Sequence, residues 1–249
     1  MSPASNKLDA TAGHGTSRIA RASRNAGMAA VVLSALGPAG VHLGAVAPIE
    51  GFILFVGGAA GAGLTALALG LLGLVRTKNG NDPIGRLRAR IGVGIGAPCV
   101  AIVLAMVLPG SGLPPINDVT TDVDNPPLFA HGAAQTAGDY PDAFIAQVRN
   151  HYADLGPTSM ALKPSAALSR ARSTAESLGW QLASTPSREG HVDATQTSKW
   201  FRFIDDIVVR VTASPSGSIV DVRSRSRDGR RDFGVNAARI RLFLTQLKG

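Results

Sequence analysis

Residues Gly51–Val75 read GFILFVGGAAGAGLTALALGLLGLV. No residue in this run is charged. A helix needs ~20 apolar residues to cross the hydrocarbon core of a bilayer, and this run exceeds that. Lipid offers the backbone no hydrogen-bond partners, so a spanning run must be a helix rather than an isolated strand. Two more apolar runs flank it. Gly27–Ala47 is uncharged but contains Pro38 and His42, and Ile91–Leu108 ends at Pro109-Gly110. The expectation is three transmembrane helices, at about 27–47, 51–75 and 91–108.

Basic residues orient the spans, because cytoplasmic flanks are enriched in Lys and Arg. The N-terminal tail holds Lys7, Arg18, Arg21 and Arg24, and the connection between the second and third runs holds Arg76, Lys78, Arg86, Arg88 and Arg90. The connection between the first two runs has only Glu50, and after the third run no Lys or Arg occurs before Arg149. The expected organisation is a cytoplasmic tail (1–26), a transmembrane region (27–110) and an extracytoplasmic domain (111–249). The chain would lie in the cytoplasmic (inner) membrane, its C-terminal domain periplasmic. Two other readings of the first run stand. Ala45-Val46-Ala47 resembles a signal-peptidase site, although Pro48 follows it directly. Alternatively the run lies in the interface and only two helices cross.

The spans contain two GxxxG patterns, Gly57/Gly61 and Gly92/Gly96, which let helices approach closely. They read first as packing within one chain and second as a dimerisation face. The absence of Asp, Glu, Lys and Arg from the runs argues against an ion or proton pathway. His42 reads as a polar helix contact rather than a relay.

The formal charge of +8 suggests nucleic acid at first. Residues 1–115 hold nine basic and three acidic side chains, residues 116–249 sixteen and fourteen. The excess surrounds the apolar runs, so membrane topology accounts for it and no nucleic-acid partner is expected. The one cysteine, Cys99, excludes an internal disulfide and a CxxC site.

Pro109–Leu128 has five prolines and two glycines and reads as a tether along the domain surface, with Ile116–Thr120 as a candidate edge strand. Asp142 can cap a short helix carrying Phe144, Val148 and Tyr152. Leu168, Ala171, Ala175 and Leu178 predict a helix over Ser165–Leu178, stopped by Gly179. Four strands follow: Trp180–Thr185, His191–Thr197, Phe203 with Asp205–Ala213, and Ser218–Ser226. A turn with Pro186 and Gly190 joins the first two, and Ser214-Pro-Ser-Gly217 joins the last two. In the fourth, Val220, Val222 and Ser224 alternate with Asp221, Arg223 and Arg225, as expected where one face meets a core and the other is wet. A last helix starts near Asp232 and runs to Leu247, with Ala237, Ile240, Phe243, Leu244 and Leu247 inward. The fold class is α+β: a three-helix transmembrane region, then a four-stranded antiparallel sheet with two to three helices on one face.

Three stretches, Ile116–Phe129 (INDVTTDVDNPPLF), Asp193–Val211 (DATQTSKWFRFIDDIVVRV) and Val220–Leu244 (VDVRSRSRDGRRDFGVNAARIRLFL), resemble domain-of-unknown-function family 1499 over about residues 116–249. The resemblance implies an extracytoplasmic domain behind membrane helices or a lipid anchor, and no known reaction. The family-like polar positions are Asp118, Thr120, Asp124, Asn125, Thr195, Thr197, Asp205, Asp206, Arg210, Asp221, Arg223, Ser226, Arg230, Asp232 and Asn236. Lys199 and Arg231 fall where the family resemblance implies variable residues.

No GxSxG, HExxH or Walker loop occurs, and His131, His151 and His191 are scattered, so neither metal nor cofactor is expected. The densest polar constellation is Asp205, Asp206, Arg210, Asp221, Arg223, Arg225 and the turn Arg227–Asp232. It reads first as a structural ion-pair network, which suits the planar guanidinium fork. Its second reading is an anion site, with Arg210, Arg223, Arg225 and Arg230 holding a small anion or lipid headgroup. Trp200, Phe201 and Phe203 read as core packing or as a lip that touches lipid or lines a pocket. The functional expectation is non-catalytic binding of a ligand, a lipid or an envelope protein. The alternative is an envelope enzyme that uses Asp205, Asp206 or Asp221 as acid or base.

Overall fold

The computed structural model describes residues 17–80, 82–129, 140–184 and 188–249. The chain divides into two compact units, Met1–Met106 and Val107–Gly249. Lys7, His131, Thr185 and Pro186 lie outside the described residues.

In the first unit, α1 (Arg18–His42) is opened by Ser17, whose hydroxyl accepts from the Ala20 N–H. Helix α2 (Pro48–Val56) begins at proline, and the Glu50 carboxylate accepts from the Ala47 N–H. It runs through a π-helical stretch, Gly57–Ala62, into α3 (Gly63–Arg76). The Asp82 carboxylate accepts from the Gly85 N–H at the start of α4 (Pro83–Val107), and a 3-10 turn, Leu108–Gly110, follows α4.

Among the described residues two helices are long and apolar enough to cross a membrane, Pro48–Arg76 and Pro83–Gly110. The expected span at 27–47 is not one of them. Its helix starts at Arg18 and stops at His42, and Gly44 turns the chain at φ +68°. The uncharged part, Gly27–His42, falls short of the ~20 residues a span takes.

Small residues bring the helices together. The Ser23 hydroxyl donates to the Ala66 carbonyl at 2.8 Å. A Cβ on Gly96 would lie 2.5 Å from the Gly63 carbonyl oxygen, and one on Gly58 would lie 2.7 Å from Leu33 Cβ. Gly92 meets Ser23 in the same way. Gly92/Gly96 therefore serve packing within the chain, whereas Gly57 and Gly61 face open space.

The second unit is α+β, with six strands instead of four: β1 (Asp118–Thr120), β2 (Thr158–Met160), β3 (Gln181–Leu182), β4 (His191–Thr197), β5 (Ile204–Ser214) and β6 (Gly217–Ser226). All pairs are antiparallel, in the order β1-β6-β5-β4-β3, and β2 pairs with β6 beyond the end of β1. The β5–β6 hairpin closes at Ser214↔Gly217. Gly217 has φ +138°, and a Cβ there would lie 2.3 Å from the Met160 carbonyl oxygen, so glycine lets β2 dock.

Helices α5 (Asp142–His151), α6 (Pro164–Ser177) and α7 (Val235–Lys248) complete the domain. Helix α6 lies across β3–β6, and α7 packs on β6 and α6. Val192, Ala194, Ile207, Val209, Val211, Val220 and Val222 form the sheet side of the core. Ala171, Ala175, Ile240, Phe243 and Leu247 form its helix side, and Trp180 stacks on Phe243 at 5.0 Å. Asp232 is not the residue flanking α7. Phe233 (φ +54°) and Gly234 (φ +84°) intervene, and its carboxylate accepts from the N–H groups of Gly234 and Asn236. It does the work of a cap from two residues back.

The lead-in after α4 is not a surface tether. Ile116, Val119 and Phe129 are buried, and the segment covers the sheet face opposite α6 and α7. The face expected to be wet is largely closed: Val208 and Arg223 on it are fully buried.

Candidate functional site

Pleating places Asp206, Val208 and Arg210 of β5 on the covered face, opposite Arg225, Arg223 and Asp221 of β6. The alternation expected for β6 holds. Of the charged groups on this face, Asp206, Arg210, Asp221 and Arg223 are each paired.

Arg223 lies between two aromatic rings, its guanidinium carbon 4.7 Å from the Phe129 centroid and 5.0 Å from that of Tyr140. Its Nε and Nη2 donate to the two oxygens of Asp118 at 3.0 and 2.8 Å, and its Nη1 donates to the Pro127 carbonyl. This bidentate fork is the strong form of a charge-assisted bond. Burial holds the Asp118 carboxyl above the usual carboxylate range, against the pull of Arg223. Every nitrogen of Arg223 is engaged and the side chain is sealed, so the expected anion site at Arg223 is not formed.

Arg210 donates to Asp122, Asp221 and the Asn125 carbonyl. Asp221 also accepts from the Thr121 hydroxyl. Arg225 is half-buried and makes no hydrogen bond or ion pair among the described residues, and Arg230 is exposed. The four candidate anion-binding arginines do not converge.

The candidate acid/base carboxylates are separated as well. Asp205 points to the helix side and receives Arg239 of α7, while Asp206 points the other way and receives the Nε and Nη2 of Arg227. Asp221 belongs to Arg210. Adjacent in sequence, Asp205 and Asp206 occupy opposite faces of one strand, as a period of two requires.

Sequence reasoning did not single out Arg239 and set Arg231 aside as a variable position. Arg239 donates to Gln196, Ser224, Asn236 and Asp205, which ties α7 to the sheet. The Asn236 amide donates to the Asn117 carbonyl and the Ser226 hydroxyl. Arg231 donates to the Gly110 and Leu113 carbonyls and lies over Phe233. Both arginines sit among many others in sequence, and only the tertiary fold gives them partners.

One cleft opens at the β3 edge of the sheet, with a volume of about 300 Å³. Phe129, Leu182 and Ala183 line it together with the polar residues Gln181, Asp193, Thr195, Asp206 and Arg227. Of the three candidate carboxylates only Asp206 lines it. The Nη1 of Arg227 lies outside the Asp206 fork and makes no hydrogen bond among the described residues. No group of His, Cys, Asp and Glu among the described residues is arranged to hold a metal.

Residues 118–247 match the family described as "Protein of unknown function (DUF1499)". The chain belongs to the DUF1499 family. The match covers the whole sheet and ends at Leu247, one residue before the end of α7. It also includes Asp118 and Arg223, so the sealed ion pair lies within the DUF1499 domain. No curated protein and no solved structure matches the chain.

The chain has two tyrosines, Tyr140 and Tyr152, and both are buried. Burial, with Asp118 beside Tyr140 and Asp232 near Tyr152, pushes both phenols above their ordinary value of 10. The unfolded chain therefore releases these protons first. Stability is fully present below about pH 10 and falls as the pH rises towards the folded values. A titration followed at 295 nm should show no phenolate step near pH 10 while the domain stays folded, and the step should coincide with loss of the near-ultraviolet dichroism. An ordinary step near pH 10 in a folded domain would contradict the burial of both rings.

Proposed function

We propose that the chain is a multi-pass membrane protein whose DUF1499 domain lies outside the cytoplasm and binds a small ligand without transforming it. The Lys/Arg asymmetry supports the orientation. Helices Pro48–Arg76 and Pro83–Gly110 support anchoring, and α1 packs on both α2 and α3. In this reading the membrane is the cytoplasmic one.

The observation that carries the binding role is the cleft at the β3 edge. It sets Phe129 and Leu182 beside an arginine that keeps one donor nitrogen in reserve. Convergent polar groups on an apolar wall are the usual make-up of a small-molecule site. The ligand class is an amphipathic molecule whose acceptor group, a carboxylate, phosphate or lipid headgroup, meets Arg227. Binding is favoured over catalysis because Asp205, Asp206 and Asp221 are each held by a different arginine and do not share a cleft.

Native mass spectrometry of the detergent-purified chain tests this. The wild type should release a bound small molecule, and Arg227→Ala and Thr195→Trp should each lose it. Arg227 forms an exposed pair, worth at most about 1 kcal/mol, so its removal should leave the melting transition nearly in place. A wild-type chain that carries no small molecule, or variants that retain it equally, would contradict the cleft as the binding site.

A further inference from the structure

The pairing register gathers four features at one end of the sheet: the start of β1, the β4–β5 turn, the end of β6 and the segment leading into α7. The chain also arrives in this unit at that end. Residues Val107–Gly110 close the apolar helix Pro83–Gly110, and Arg231 of the β6–α7 segment donates to the Gly110 carbonyl at 2.6 Å. Gly110 also lies against Phe233, where a Cβ would come within 2.7 Å of Phe233 Cβ. Within the unit, therefore, the last residues of an apolar helix are fixed at the same end of the sheet as the β4–β5 turn.

That turn presents Trp200, 72% exposed, while Phe201 beside it is buried and anchors it. The turn is braced. The Ser198 N–H donates to the Phe203 carbonyl, the Phe203 N–H donates to the Ser198 hydroxyl, and the Arg202 N–H donates to the Ser198 carbonyl. Arg202 adopts φ +53°, a conformation that L side chains rarely take. The indole is thus held outward by a fixed loop. Lys199 and Arg202 flank it and are exposed, and Arg230 is exposed in the turn after β6 at the same end. Leu108, Phe233 and Val235 add exposed apolar surface. The acids nearby in sequence, Asp206 and Asp228, are only partly exposed, and Asp206 is held by Arg227.

We propose that this end of the domain is a membrane-contact face, with Trp200 seated in the headgroup layer of a bilayer that contains anionic lipid. The proposal rests on the membrane anchoring argued above and is independent of the cleft. An indole is apolar over most of its surface with one polar N–H, which suits the boundary between hydrocarbon and water. Lys199, Arg202 and Arg230 complement anionic headgroups. A domain tethered to a membrane meets lipid at high effective concentration, so a weak contact suffices.

The test uses the full chain in nanodiscs of mixed phosphatidylcholine and phosphatidylglycerol, with and without brominated acyl chains. Incorporation is verified separately by size-exclusion chromatography, so failure of the anchor is distinguished from failure of the contact. The chain has two tryptophans, and Trp180 is buried against Phe243. The difference between the wild type and Trp200→Phe therefore isolates Trp200. Its emission should be blue-shifted and mostly lost in the brominated discs. The combined Lys199→Glu, Arg202→Glu and Arg230→Glu variant should recover the emission. Equal Trp200 emission in plain and brominated discs would overturn the proposal, and so would quenching unchanged by charge reversal. Shielding of Trp200 from iodide in native membrane vesicles but not in lipid discs would overturn it too, by pointing to a protein partner.

Discussion

Replacing Arg223 with alanine should unfold the C-terminal domain at ordinary growth temperature. The change removes the guanidinium paired with Asp118, a carboxylate that is 3% exposed. Removing one partner of a buried ion pair costs about 3–5 kcal/mol, because the other charge is left without compensation. A domain of this kind holds only about 5–15 kcal/mol in total. The loss also opens a space between the Phe129 and Tyr140 rings and frees the Pro127 carbonyl. Arg223→Lys should fail nearly as badly, because an ammonium can neither form the fork on Asp118 nor lie flat between two rings. Asp118→Asn should be milder, since the amide keeps one acceptor for the guanidinium. Thermal melting of the full chain in detergent, followed by near-ultraviolet dichroism, measures all three. An Arg223→Ala variant that melts with the wild type would show that the pair is not sealed.

The second large effect belongs to the helical unit. Gly96→Leu should disrupt it, whereas Gly94→Leu should be tolerated. A Cβ at Gly96 would meet the Gly63 carbonyl oxygen at 2.5 Å and the Leu67 nitrogen at 2.8 Å, both backbone atoms with nowhere to go. A Cβ at Gly94 meets nothing within 4 Å. Overpacking costs typically about 1–3 kcal/mol, and a whole leucine driven into a backbone contact should exceed that. The loss of monodisperse protein on heating in detergent reads the difference. Equal behaviour of the two variants would contradict the close approach of α3 and α4. Gly57 and Gly61 face open space, so Leu at either should leave this packing intact.

The β5–β6 hairpin was legible in the sequence. Alternation in Val220–Arg225 and the Ser-Pro-Ser-Gly turn mark its strands and their connection, and His191–Thr197 matches the limits of β4. Strand β2 was not legible, because three residues between Pro157 and Pro164 carry no alternation and form a strand only by pairing with β6. The edge strand in Ile116–Thr120 was read as a candidate, but its role was not. The prolines that excluded a helix also suggested a solvated tether, and nothing local showed that this segment closes a sheet face. The first apolar run misled for a related reason. Hydropathy marks where charges stop, whereas α1 starts where Ser17 caps it and ends where Gly44 turns the chain.

The candidate site was legible as a constellation but not as pairs. Arg210 and Asp221 face each other across two strands, as a paired hairpin requires. Arg223, by contrast, pairs with Asp118, which lies far away in sequence and reaches it only because β1 docks beside β6. Arg239 carried no signal and Arg231 was discounted, because partners on another element cannot be read from spacing. The preferred structural reading of the cluster describes most of its geometry, and the cleft that remains was set by the β3 edge.

The orientation of the chain is the claim on which the proposed extracytoplasmic role of the domain depends. It is tested most directly by fusing alkaline phosphatase and green fluorescent protein, separately, after Gly249. An active phosphatase and a dark fluorescent protein are expected, because the proposed orientation puts the domain outside the cytoplasm. A bright fluorescent protein with an inactive phosphatase would contradict it.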